Sequence, residues 1–195
     1  FLVLAVVNFL VVGPLLVGIP ILAHERLPQG ALAFGLLMGA FSIGNLVGYV
    51  LAGSLPRPSG RAVRSILLGL LAGFGLVVGL VAFIPTIWID MALMSLLGLG
   101  NGYLAILLFT WLQTRAPSDH LGRLVGMITF ASIGLVSASQ AISGGIARWS
   151  IDFLFVTAGA LVLVATAWTA RQPGLVGLSQ SLTEPGPAAD SGQPT

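Results

Sequence analysis

The sequence predicts an all-α, polytopic membrane protein of six transmembrane helices, and three observations carry this. Hydrophobic residues make up 56% of the 195 and charged ones 7%, with a mean hydropathy of +1.03, so the chain has too little polar surface to wrap a water-soluble core. Polar punctuation divides it into six apolar stretches, each near the roughly 20 residues that cross a hydrocarbon layer of about 30 Å. The stretches are continuous and rich in Leu, Ala and Gly, whereas the strands of a membrane barrel alternate over about ten residues.

The first stretch, Phe1 to Ala23, carries Asn8 and two prolines, Pro14 and Pro20, which kink a helix and free backbone carbonyls. Phe1 opens inside an apolar run with no initiator Met and no basic flank, which reads as a truncated start and not as a signal peptide. In the second, Ala31 to Leu55, the side chains of Ser42, Asn45 and Tyr49 fall within about 60° of one another at helical pitch and form one polar stripe. The third, Ser65 to Ile84, has no polar side chain after its first residue and is expected at the periphery. The fourth, Trp88 to Leu112, holds Asn101 within Gly98-Leu99-Gly100-Asn101-Gly102. The fifth, Leu124 to Ala147, concentrates Thr129, Ser132, Ser139, Gln140 and Ser143 in an arc of about 100°. The sixth, Ile151 to Ala170, contains only Thr157, Thr166 and Thr169, so much of its circumference is expected to face lipid. From Gln172 onward Pro, Gly, Ser and Ala dominate, and residues 172–195 are expected to form a disordered tail after a six-helix domain of residues 1–171.

Short connectors make neighbouring helices antiparallel. Arg57, Arg61, Arg64, Arg115, Arg123 and Arg171 fall on one side and only Arg26 and Arg148 on the other, so the positive-inside rule places Phe1 and the tail in the cytoplasm. A pI of 9.9 rests on a net charge of only +2 from scattered arginines and gives no nucleic-acid surface. Without cysteine, and with His24 and His120 far apart in polar connectors, neither a disulfide framework nor a metal centre is expected, and no cofactor is implied. No zinc-protease motif and no serine with a base at membrane depth is present, so the chain does not read as an enzyme. Carboxylates are absent from the middle of every span; Asp90 and Asp152 lie near outer helix ends, where water is expected close by.

Polar groups inside a bilayer need partners, so the stripes face other helices or a wet cavity. Ser and Thr also bond their own backbone, and for them helix-to-helix contact competes with a cavity role. Asn45, Tyr49 and Gln140 favour a cavity, and with Asn101, Asn8, Ser42, Ser132 and Ser139 they form the candidate set for binding a small molecule. Glycine pairs four apart, Gly35 and Gly39, Gly44 and Gly48, Gly69 and Gly73, Gly75 and Gly79, Gly98 and Gly102, are candidates for close helix approach.

The connector Gly53-Ser54-Leu55-Pro56-Arg57-Pro58-Ser59-Gly60-Arg61 resembles the cytoplasmic loop signature of the major facilitator superfamily, Gly-x-Leu-x-Asp-Arg-x-Gly-Arg, matching it at Gly53, Leu55, Gly60 and Arg61. Arg57 stands where that family has Asp and Pro58 where it has Arg, so the role of that Asp does not carry over. Pro117-Ser118-Asp119-His120-Leu121-Gly122-Arg123-Leu124-Val125-Gly126 is similar to the segment entering the eleventh helix of many facilitator exporters. The overall texture resembles the enterobactin-exporter and drug-efflux branch. The resemblance implies the C-terminal half, helices seven to twelve, of a twelve-helix transporter whose halves rock around a midplane site. It implies a missing N-terminal six-helix half as partner, a small-molecule substrate, a prokaryotic cytoplasmic membrane, and Gly53, Gly60, Arg61, Gly122 and Arg123 as loop anchors. A sensor or assembly partner that uses the same fold without turnover is the alternative.

Overall fold

The computed structural model describes residues 5–56, 60–84, 86–115 and 118–171, without the side chains of residues 60, 61, 111, 114, 115 and 118–121. Six helices run through them: α1 (Val7–Glu25), α2 (Ala31–Ser54), α3 (Gly60–Val81), α4 (Ile87–Arg115), α5 (Ser118–Ala147) and α6 (Ile151–Arg171). All six are long and apolar enough to cross a membrane, so the fold is all-helical and polytopic. The expected tail and the side chains of Arg57, Arg61 and His120 lie outside the described residues.

Helices outrun the apolar stretches on the arginine-rich side. α3 begins at Gly60 and α5 at Ser118, so the ends of both connectors are helical. Hydropathy marks where lipid ends, but hydrogen bonding continues a helix into water as long as the residues tolerate it. On the opposite side the α1–α2 turn closes through Gly30, whose φ of 51° a side chain would disfavour.

Two helix pairs form the framework. α2 and α4 cross with their backbones nearly touching: a Cβ on Gly44 or Gly48 would collide with the backbone of Ser95 or Leu99, and one on Gly98 or Gly102 with the backbone of Phe41 or Asn45. α3 packs on α6 through Gly75 and Gly159, each lying against the other's carbonyl. Of the candidate glycine pairs, Gly35 and Gly39 and Gly69 and Gly73 meet nothing within 4 Å. An apolar face of α3 that includes Leu71, Phe74 and Val78 is buried, so its lack of polar groups marks a dry helix interface as well as lipid contact.

Arginines tie the α3–α6 pair at both ends. Arg64 donates to the Ala170 carbonyl in the last turn of α6 at 2.7 Å. Arg26, from the α1–α2 turn, donates to the Ala82 carbonyl just past α3 at 3.1 Å and to the Asp152 carboxylate opening α6 at 2.5 Å. Carbonyls at helix C-termini have no intrahelical donor, and these guanidinium groups supply one. α1 runs through the middle, burying Ile19 and Leu22 and placing Gly18 against the ring of Phe155. α5 rests mainly on α1 and is the least buried span.

Asp90 departs from the expected wet position. It is 1% exposed, and neither carboxyl oxygen has a hydrogen-bond partner among the described residues. Its place in the first turn of α4 is as the sequence implies, but packing of that turn, not depth along the helix, decides its contact with water.

Candidate functional site

The opening half of α1 is a wall with a cavity on each side. Towards α2, α3 and α4 lies a cavity of about 100 Å³, lined by Val7, Val11, Val12, Leu15 and Leu16 of α1, Met38 and Phe41 of α2, Phe74 of α3, and Met94, Leu97 and Asn101 of α4. Towards α5 lies one of about 280 Å³, lined by Ala5 and Asn8 on the α1 side and by Leu124, Met127, Ile128, Ala131, Ser132 and Leu135 of α5. No charged side chain lines either among the described residues. Each is an apolar surface with one or two uncharged hydrogen-bonding groups, suited to a neutral or largely apolar solute fixed by a few polar contacts.

The candidate polar residues therefore do not converge on one point. Asn8 and Ser132 meet in the larger cavity, and Asn101 lines the smaller one. Asn45 faces the α2–α4 crossing, its Oδ1 against Gly102 and buried without a hydrogen-bond partner among the described residues. Ser42 and Tyr49 lie on the exposed side of α2, where Ser42 donates to its own Met38 carbonyl at 2.8 Å. Gln140 is half-buried on α5 and lines neither cavity.

The α5 stripe divides as well. Thr129 is exposed and donates to the Val125 carbonyl at 2.8 Å. Ser139 and Ser143 are buried at 2% and 3% exposure, and the Ser139 hydroxyl donates to the Phe9 carbonyl of α1. Its proton is committed to a neighbouring helix, because a serine facing a helix interrupted by proline finds a free carbonyl there. Of the loop residues, Gly53, Gly122 and Arg123 are exposed.

Two features escape a reading of polar stripes. The cavity walls are built largely from apolar side chains, and in the smaller cavity these include Met38 with Phe41 and Met94 with Leu97, each pair one helical turn apart, on facing helices. The other is that Val7–Val12 wind as a π-helix, for which the only trace in the sequence is Gly13-Pro14.

Comparison with known proteins places these observations beside solute exporters. The chain is 32% identical over 158 residues to the enterobactin exporter of Salmonella typhi, a match covering 73% of this chain and 38% of the exporter. It is 29% identical over 153 residues to that of Shigella flexneri, covering 73% of this chain and 37% of the exporter. The match thus spans well under half the length of these curated relatives, which are exporters and not enzymes. No family model matches the chain. No solved structure matches it either.

Proposed function

We propose that this chain is the C-terminal six-helix half of a major facilitator-type transporter that exports a small, fairly apolar compound by alternating access. The observation that carries the reading is the similarity to enterobactin exporters over 73% of the chain. The six membrane-length helices, the Gly53 to Arg61 loop signature and the uncharged cavities beside α1 support it. On this reading the other half supplies the opposite wall of the translocation path, and the two halves rock around the site.

Asn8, Ser132 and Asn101 are the proposed hydrogen-bonding contacts. Asn45, Tyr49, Gln140 and Ser42 lie on surfaces that would meet solute or the other half as the halves rock. Arg61 and Arg123 act as cytoplasmic loop anchors that favour one gate state, in a prokaryotic inner membrane with the C-terminus inside. No carboxylate lines the cavities among the described residues, so coupling to an ion gradient would fall to the other half.

Counterflow in proteoliposomes holding the full-length protein tests this without knowledge of the coupling ion. Preloaded enterobactin, or a neutral apolar compound of drug size, should drive uptake of the labelled compound above that of protein-free liposomes. Identical counterflow with and without protein, for every compound in such a panel, would count against transport and leave the sensor reading.

A further inference from the structure

A proline within a helix leaves one carbonyl without its amide partner, and the register of the preceding turns decides which carbonyl that is. In α register the deprived carbonyl is four residues back from Pro14, at Leu10; in π register it is five back, at Phe9. Here the amide of Gly13 donates to the Asn8 carbonyl, five residues back, so the next bond of the series would run from Pro14 to Phe9. Pro14 has no N–H to give. The Phe9 carbonyl instead accepts the hydroxyl of Ser139 on α5. Gly13 makes room for this, since a Cβ there would collide with both Oγ and Cβ of Ser139. At 2% exposure Ser139 has no competing water.

We infer that Ser139 is a positioning residue that holds the first turns of α1 in π register and so sets which face of that segment, Asn8 included, is turned to the α1–α5 cavity. Without an external donor the balance runs the other way. π geometry is the less favourable, and in α register the Gly13 amide would bond Phe9 directly. Ser139 offsets that balance by serving the Phe9 carbonyl, which the π register leaves without an amide. Converting Val7–Val12 to α register turns the residues before it by about 100°. Asn8 then leaves the larger cavity, and the valines of the smaller cavity change places.

The test reads helix register and not transport, so its outcome stands apart from that of the proposed function. The sequence has no cysteine, so single cysteines can be placed in turn at residues 5–12 of the full-length protein, with any others removed, and labelled in native membranes with a membrane-permeant maleimide. With Ser139 present, positions 5 and 8 should label fastest. Ser139→Ala should displace this pattern by one position and slow labelling at position 8 several-fold. Pro14→Ala should do the same, because with an amide at position 14 a continuous α register strands no carbonyl, whereas the passage from π to α register still skips one, and the α form prevails. The double variant should be displaced no further than either single one. An unchanged pattern in Ser139→Ala overturns the inference, whatever Pro14→Ala does. A uniform rise at all positions overturns it too, since that is the mark of loosened packing without a change of register.

Discussion

Asn45 of α2 lies against Gly102 of α4, where a Cβ would run into both the backbone carbonyl and the side-chain Oδ1 of the asparagine. Gly98 stands in the same relation to Phe41 one turn away. The α2–α4 crossing therefore depends on missing side chains, and a methyl group at its centre must push two backbones apart. Gly102→Ala is expected to cost about 1 to 3 kcal/mol, as overpacking of a close interface does. Gly39→Ala, on the same helix as Asn45 but with nothing within 4 Å, should be neutral or slightly stabilising. Thermal unfolding of the two variants in detergent checks the contrast.

Arg26 serves two partners, so its loss and the loss of one partner should differ. Both members of the Arg26–Asp152 pair are partly exposed, at 29% and 46%, so Asp152→Asn should cost less than about 1 kcal/mol and the loss should shrink in high salt. Arg26→Ala also strips the donor from the Ala82 carbonyl and should cost more. Donating its hydrogen bond to the Asp152 carboxylate holds the pKa of the Arg26 guanidinium above its already high ordinary value. A raised pKa contributes stability that is fully present below the ordinary value and lost only as pH climbs through the raised one. The cost of Arg26→Ala should therefore be flat from about pH 6 to pH 9, read as the melting temperature across that range.

Asp90 is buried without a partner among the described residues, and a carboxyl group so placed gains nothing for stability from its ability to ionise. Asp90→Asn, of nearly the same shape, should leave the melting temperature unchanged or higher. A large fall would reveal a partner for the carboxylate that the described residues do not contain.

Phe155 is wholly buried, its ring over Gly18 where α6 meets α1. Phe155→Ala should cost about 3 to 5 kcal/mol through the cavity it leaves. Phe153, on the exposed side of the same helix, should tolerate Ala with little change in the yield of folded protein.

The helices were legible because the demand of lipid for continuous apolar, internally hydrogen-bonded segments is written residue by residue. Glycine spacing announced the α2–α4 crossing at Gly44, Gly48, Gly98 and Gly102, but the same spacing at Gly35 and Gly39 meets nothing, because a pattern on one helix does not say which helix arrives. Polar stripes proved coarser still. Ser139 and Ser132 share the α5 stripe, yet one bonds Phe9 and the other lines a cavity. Their difference is set by a proline on another helix, which no periodicity within α5 records. The apolar cavity walls were invisible for a related reason: in a chain this apolar, a cavity and a packed core have the same composition.

On the proposed reading solute occupies the cavities beside α1, where it should shield the lining residues from a thiol reagent. Cysteines placed singly at Ser132 and at Asn101 in the full-length protein report on the larger and the smaller cavity. Saturating transported solute should slow maleimide labelling several-fold at one or both, while a cysteine at exposed Phe153 labels at an unchanged rate. Labelling at both cavity positions that ignores solute, under conditions where the same preparation carries out counterflow, would mean that solute passes elsewhere than beside α1.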